Sequence, residues 1–252
     1  MTMDQFSRTR QLLGTRALNR IKHAKVAVFG LGAVGSFAVE ALARTGIGTF
    51  SLIDFDSIEP SNINRQIYAL YSTIGEKKAE LAQRRINDIN PEAIVEIHDS
   101  FADNNSIDPL LSKGFDVVID AIDGLNSKVN LIVKAKTRGL KIISSMGAAG
   151  KRDSTMIKTA DLFETSVCPL ARFVRRRLRR RGIFRDVQCV YSEEKPTGII
   201  MNTQSMEIEH ESGIKPDHGR KRSSLGTVPY ITGIFGLMLA NLTVDTIINQ
   251  TP

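Results

Sequence analysis

The sequence is poor in cysteine: Cys168 and Cys189 are its only two, and they form no CxxC pair. This excludes a four-cysteine zinc knot and fits a chain of the reducing cytosol. An apolar signal-peptide core is missing too, because "MTMDQFSRTRQLLGTR" at the start is polar and basic, so a cytoplasmic location is expected rather than secretion. Long uninterrupted apolar runs are also scarce. The most apolar stretch, "VPYITGIFGLMLANLTVDTII" (228–248), contains Asn241, Asp245 and three threonines, which favours a buried core helix over stable membrane insertion. No internal repeat is visible. Acids are absent from one place above all: "RFVRRRLRRR" (172–181) has seven arginines and no Asp or Glu. The chain has 34 Lys+Arg against 27 Asp+Glu, so removing these seven leaves 27 against 27. The whole net charge of +7 resides in that segment.

What is present reads as a single domain over residues 1–252, long enough for its own core. "KVAVFG" (25–30) and "TFSLID" (49–54) have the apolar character of buried strands, and "AIVEIH" (93–98), "DVVIDAI" (116–122) and "KIISSMG" (141–147) continue the series. Helical spacing fills the gaps: "LGAVGSFAVEALARTG" stops at Gly46, "GEKKAELAQRRINDINP" (75–91) stops at Pro91, and "NSKVNLIVKAKTRG" lies between the last two strands. Strand and helix alternate through residue 147, which predicts an α/β fold: a Rossmann-like, mostly parallel sheet with helices on both faces. Residues 1–150 form its nucleotide-binding core, 151–196 an arginine-rich helix region, and 225–252 a closing core helix. Residues 197–224 are polar and aperiodic and read as a mobile insertion.

The segment "GLGAVG" (30–35) meets the GxGxxG pattern directly after a strand and at the mouth of a helix. Gly30, Gly32 and Gly35 allow backbone to approach phosphate closely, and the helix N-terminus offers free N–H groups. Such a loop serves NAD, FAD and ATP alike. Asp54 ends the second strand, where a carboxylate can accept ribose hydroxyls. The polar run "SNINRQ" and the pair Lys77 and Lys78 follow it, and a dehydrogenase has no need of them. Arg65 and Lys78 suit a triphosphate, with Asn62 and Asn64 fixing the same groups. Asp123, in "DAIDG" (120–124) at the end of a buried strand, is placed to hold Mg²⁺ on the phosphates. It also suits a helix N-cap, and one acid can do both.

These pieces together resemble the ubiquitin-activating-enzyme-like superfamily, whose bacterial members include MoeB and ThiF. The resemblance is carried by "GLGAVGS", "GIGTFSLIDFDSIEPSNINRQ", "GEKKAELAQRRINDINP" and "VVIDAIDG", in order over roughly residues 20–147. It implies that Asp54 binds the adenosine ribose, that Asn62, Asn64, Arg65 and Lys78 contact the triphosphate, and that Asp123 is the Mg-associated catalytic acid. "FSRTRQLLG" resembles the family segment that reaches a partner subunit's ATP, making Arg8 a trans arginine of a homodimer. Gln5 stands where the family often has a second arginine. The implied chemistry is adenylation of a carboxylate, with loss of pyrophosphate, by a site that works through positioning and charge neutralisation.

The carboxylate is suggested by the arginines. Arg172, Arg175, Arg176, Arg179 and Arg180 lie away from the apolar stripe Leu170, Phe173, Val174 and Leu178, and an acid-free cationic face suits a phosphate backbone. An acidic protein partner or a merely solvated face are the alternatives. "CPLARFVRRRLRRRGI…VYSEEKP" and "LGTVPYITGIFGLMLAN" are similar to one branch, the tRNA threonylcarbamoyladenosine dehydratases. That resemblance implies adenylation of the threonine carboxylate of threonylcarbamoyladenosine in tRNA, followed by ring closure by its carbamoyl group. Adenylation of a ubiquitin-like or sulfur-carrier protein is the competing reading, a non-catalytic nucleotide-binding scaffold a third, and a sulfur-relay partner stays open. Cys168 is either a nucleophile beside cations or a core thiol.

Overall fold

A computed structural model describes residues 4–197 and 226–249. The insertion expected at 197–224 lies, Thr197 apart, outside the described residues. Seven strands form one sheet: β1 (Lys25–Phe29), β2 (Thr49–Ile53), β3 (Ile94–His98), β4 (Val117–Asp120), β5 (Ile142–Ser145), β6 (Ile157–Asp161) and β7 (Gln188–Ser192). Their spatial order is β3-β2-β1-β4-β5-β7-β6. All pairings are parallel except β6 with β7. Among the described residues eight α-helices accompany them: α1 (Ser7–Leu13), α2 (Thr15–His23), α3 (Gly35–Thr45), α4 (Lys78–Ile89), α5 (Ile107–Leu111), α6 (Leu125–Thr137), α7 (Pro169–Arg179) and α8 (Pro229–Ile248). The α/β expectation therefore holds, with an antiparallel edge strand, β6, added to it.

Alternation along the buried strands sorts the core into two layers. Val26 and Val28 face one side with Phe50, Leu52, Val117 and Ile119, under α2, α3, α4 and α8. Ala27 and Phe29 face the other with Ile53, Val118 and Ile142, under α5, α6 and α7. A fully buried side chain such as Phe29 or Leu52 contributes about 1.5–3 kcal/mol relative to exposure.

Helix α8 is long and apolar enough to cross a membrane by length and composition, yet half of it is buried within the fold. Ile231, Phe235, Leu239 and Ile247 enter the first core layer. Contact with α3 is close: a Cβ on Gly236 would stand 2.4 Å from the Val34 carbonyl oxygen.

The chain runs outward from β1 to β2 and β3, then returns to place β4 on the other side of β1. This reversal puts a crevice at the carboxyl ends of β1 and β4, where open α/β sheets bind ligands.

Candidate nucleotide site and arginine face

The glycine loop occupies that crevice. Gly30 has φ +93°, and a Cβ there would lie 2.8 Å from the Ala121 carbonyl oxygen, so the loop rests on the turn after β4. Gly35 is forced as well, since its Cβ would stand 1.9 Å from the Gly30 carbonyl oxygen. Gly32 is different. Its nearest neighbour is Gln66 Nε2 at 3.8 Å, so the protein's own packing does not require glycine there, and close approach by a ligand would. Helix α3 opens from this loop with no side chain capping its first turn. That leaves N–H groups and the positive dipole end directed at the crevice.

Asp54 follows β2 and is 8% exposed. Its Oδ2 accepts from Leu31 N at 2.6 Å and its Oδ1 from Asp56 N at 2.9 Å, which ties it to the glycine loop. Burial pushes its carboxyl above the ordinary range, while the Lys78 charge and the two N–H groups pull the other way. Lys78, at the start of α4, is buried, and its Nζ donates to Asp56 Oδ2 at 2.7 Å. Asp56 thereby holds the cation in place beside Asp54.

Asn62 ends a single 3₁₀ turn, Pro60–Asn62, and is buried; its Oδ1 accepts from Glu59 N at 3.3 Å. Asn64 is exposed, and its Nδ2 donates to the Thr227 carbonyl at 3.2 Å. Arg65 donates through one terminal nitrogen to the Ser61 carbonyl at 2.7 Å and to Asn64 Oδ1 at 2.9 Å. It makes no ion pair among the described residues. The next residue, Gln66, is buried against Gly32 and brings this segment to the glycine loop. Its Oε1 is buried without a hydrogen-bond partner among the described residues. Gln66 was within the polar run read from the sequence, but nothing in its residue type separated it from its neighbours.

Asp123 is exposed at the end of the turn after β4. Helix α6 follows at once, with Gly124 as its N-cap residue directly after Asp123. Behind this turn is a constellation the sequence did not reveal. Asp120 and Lys128 are both fully buried, with Lys128 Nζ 2.7 Å from Asp120 Oδ2. Ser144 Oγ donates to the same Oδ2 at 2.5 Å.

Arg8 is exposed on α1 and is not brought to the crevice of its own chain. Phe6, which anchors α1, packs 3.2 Å from the Cβ position of Gly46 at the far end of α3. Eleven residues of α3 separate that end from the glycine loop, a distance of roughly 16 Å.

Helix α7 begins at Pro169 after Cys168 and lays Ala171, Val174 and Leu178 into the second core layer. Arg172 and Arg176 lie over the Phe173 ring at 5.3 and 5.2 Å, and Arg179 over Phe163 at 5.6 Å. Arg172, Arg176, Arg179 and Arg180 are exposed. Arg175 corrects the expected face: it turns inward and donates to the carbonyls of Leu162 at 3.3 Å and Thr165 at 2.9 Å, and to Thr165 Oγ1. Its guanidinium fastens the helix to the preceding turn. Arg177 bonds Asn126 Oδ1, and Arg181 bonds Asn130 Oδ1 at 2.9 Å, so α7 is seated on the helix that starts beside Asp123. Among the described residues no carboxylate forms an ion pair with Arg172, Arg175, Arg176, Arg179, Arg180 or Arg181. Cys168 and Cys189 are both buried, and burial pushes the Cys189 thiol far above its ordinary range.

The ThiF family model matches residues 6–252 of the chain. A relative from Bacillus subtilis (strain 168), tRNA threonylcarbamoyladenosine dehydratase, is 39% identical over 232 residues, covering 92% of this chain and 91% of the relative. The crystal structure of Escherichia coli tRNA N6-threonylcarbamoyladenosine dehydratase with AMP superposes with a TM-score of 0.84 at 33% identity, over 96% of this chain and 93% of that one. The same Escherichia coli enzyme in complex with ATP gives 0.83, with the same identity and coverage.

Proposed function

The chain belongs to the ThiF family, and from that membership we propose that it is an ATP-dependent enzyme that dehydrates threonylcarbamoyladenosine in tRNA. The observation that carries this reading is a juxtaposition. A glycine loop with Asp54 and Lys78 stands at the switch point of the sheet, and an acid-free arginine face is seated on the helix beginning beside Asp123. The helix that carries the exposed arginines is thus docked on the helix that begins at the nucleotide crevice.

The reaction has two steps. The threonine carboxylate attacks the α-phosphorus of ATP, the bond to the β-phosphate oxygen breaks, and pyrophosphate leaves. The carbamoyl group of the same modification then attacks the activated carbonyl, and AMP leaves with the former carboxylate oxygen, so the nucleoside loses one water. Asp54 receives the ribose hydroxyls. Gly32 lets the backbone close on the phosphates, the N-terminus of α3 with Arg65 and Lys78 offsets their charge, and Asn62 and Asn64 donate hydrogen bonds to the same groups. Such fixed charges act on the transition state without reorganising during the step.

An Mg²⁺ ion bound with a nucleotide commonly takes only one or two protein carboxylates. Asp123 is the residue that would hold it. When bound, the ion supplies charge neutralisation on the phosphates. Arg8, remote from its own crevice, serves the partner's site in a homodimer. Arg172, Arg176, Arg179 and Arg180 grip the tRNA backbone. The enzyme works as one domain over 1–252, in the cytoplasm with its tRNA substrate.

A protein substrate with a sulfur-carrier tail is the competing reading. Both cysteines of the chain are buried, which gives a relay through a surface thiol no support here. The test is mass analysis of nucleosides from tRNA incubated with protein, ATP and Mg²⁺. Threonylcarbamoyladenosine should lose one water; an unchanged nucleoside would contradict the proposal.

A further inference from the structure

Lys128 is fully buried, and its ammonium has three acceptors: Asp120 Oδ2 at 2.7 Å, the Ser145 carbonyl at 2.9 Å and Ser144 Oγ at 3.4 Å. Asp120 is fully buried too, and its other oxygen accepts from Ile122 N at 3.1 Å. Burying two charges costs desolvation that their attraction often only offsets, and an apolar pair of similar volume commonly serves stability as well. The pair is therefore better explained by what it fixes than by what it stabilises.

It fixes three chain segments at the sheet's carboxyl edge. Asp120 is the last residue of β4, Lys128 lies in the second turn's worth of α6, and Ser145 is the last residue of β5. The ammonium joins all three. The turn between the first two is 120–123: its Ile122 N–H is held by Asp120, its Ala121 carbonyl supports Gly30, and its last residue is Asp123. A displacement of about 1 Å at a reacting group can cost roughly a hundredfold in rate, so this turn is where rigidity has catalytic value.

We propose that Lys128 is a positioning residue for the adenylation step, holding the 120–123 turn so that Asp123 meets the phosphates in register. The inference deepens the reading given above and rests on the role of Asp123 in it.

Three proteins are compared with wild type: Lys128→Met, the double variant Lys128→Met/Asp120→Asn, and Asp120→Asn alone. The single Lys128→Met change strands a buried carboxylate and should lower both Tm and kcat. The double variant removes both charges and keeps an acceptor for Ile122 N. Its Tm should return to within a few degrees of wild type. Its kcat for pyrophosphate release on modified tRNA should stay at least about tenfold down, with KM for ATP and the Kd of AMP within about threefold. Recovery of kcat together with Tm would overturn the proposal, because the pair would then be structural only. Should the double variant fail to fold, Asp120→Asn alone, which strands the ammonium and should lower Tm as well, is read at a temperature where it is folded: a kcat down by about tenfold or more with the Kd of AMP within about threefold supports the role, and an unchanged kcat overturns it. A wild-type protein that releases no pyrophosphate would instead overturn the adenylation reading, and this inference with it.

Discussion

Two lysines at the nucleotide crevice and four arginines of the α7 segment are held in opposite ways. Lys78 and Lys128 are buried, each within 2.7 Å of a carboxylate. Arg172, Arg176, Arg179 and Arg180 are exposed, and no acid pairs with them among the described residues. Buried and paired charges are screened little by salt and hold geometry, whereas exposed and unpaired ones repel each other until a polyanion neutralises them. On the proposed reading, a rigid phosphate-handling site is thus separate from a salt-sensitive docking surface, and the two should fail independently.

The largest effect is expected at the crevice. Asp123→Ala should reduce turnover by about a thousandfold or more, with tRNA affinity within about twofold in a filter-binding assay. A matching loss of tRNA affinity would break the separation. Replacing Arg172, Arg176, Arg179 and Arg180 together by Gln should do the reverse. Affinity for tRNA should drop by about a hundredfold at low salt, and the slope of log K against log salt should shallow by roughly three to four. The Kd of AMP, measured by calorimetry, should not move. Adding Arg175 to that set sharpens the comparison: its inward bonds should make Arg175→Gln lower Tm while changing the salt slope little.

Smaller effects test the frame around both regions. Gly236→Ala places a methyl 2.4 Å from the Val34 carbonyl oxygen, an overpacking that should cost about 1–3 kcal/mol by denaturant titration. Asp54 gives a pH signature. Its carboxyl is raised by burial, so its contribution to stability is complete below the unfolded value near pH 3.9 and is lost as pH rises through the folded value. The Tm of Asp54→Asn relative to wild type should therefore become more favourable between pH 4 and pH 7. A constant difference would show that the carboxylate is not disfavoured by its surroundings.

Much of the crevice was legible in the sequence because its signals are local. The Gly30–Gly35 loop sits between an apolar strand and an amphipathic helix, and Asp54 ends the next strand. Each is dictated by a backbone need or by periodicity. Strand β6 was not legible, since it is an edge strand whose residues are partly exposed and polar, with Lys158, Thr159 and Asp161 in five positions. Lys128 was hidden for another reason. In "NSKVNLIVKAKTRG" it resembles any helix-surface lysine, and only the packing of α6 onto β4 and β5 buries it. Arg175 misled because helical spacing shows which way a side chain starts, not that carbonyls of a preceding turn will draw it inward. Gly14, at φ +84°, separates α1 from α2, and that break governs where Arg8 lies.

Release of pyrophosphate from ATP, followed with three candidate acceptors in parallel, tests the central claim most directly. Release that depends on tRNA carrying threonylcarbamoyladenosine, and is absent with unmodified tRNA and with a carrier protein ending in Gly-Gly, is the predicted result. Release driven by the carrier protein, or by none of the three, would contradict it.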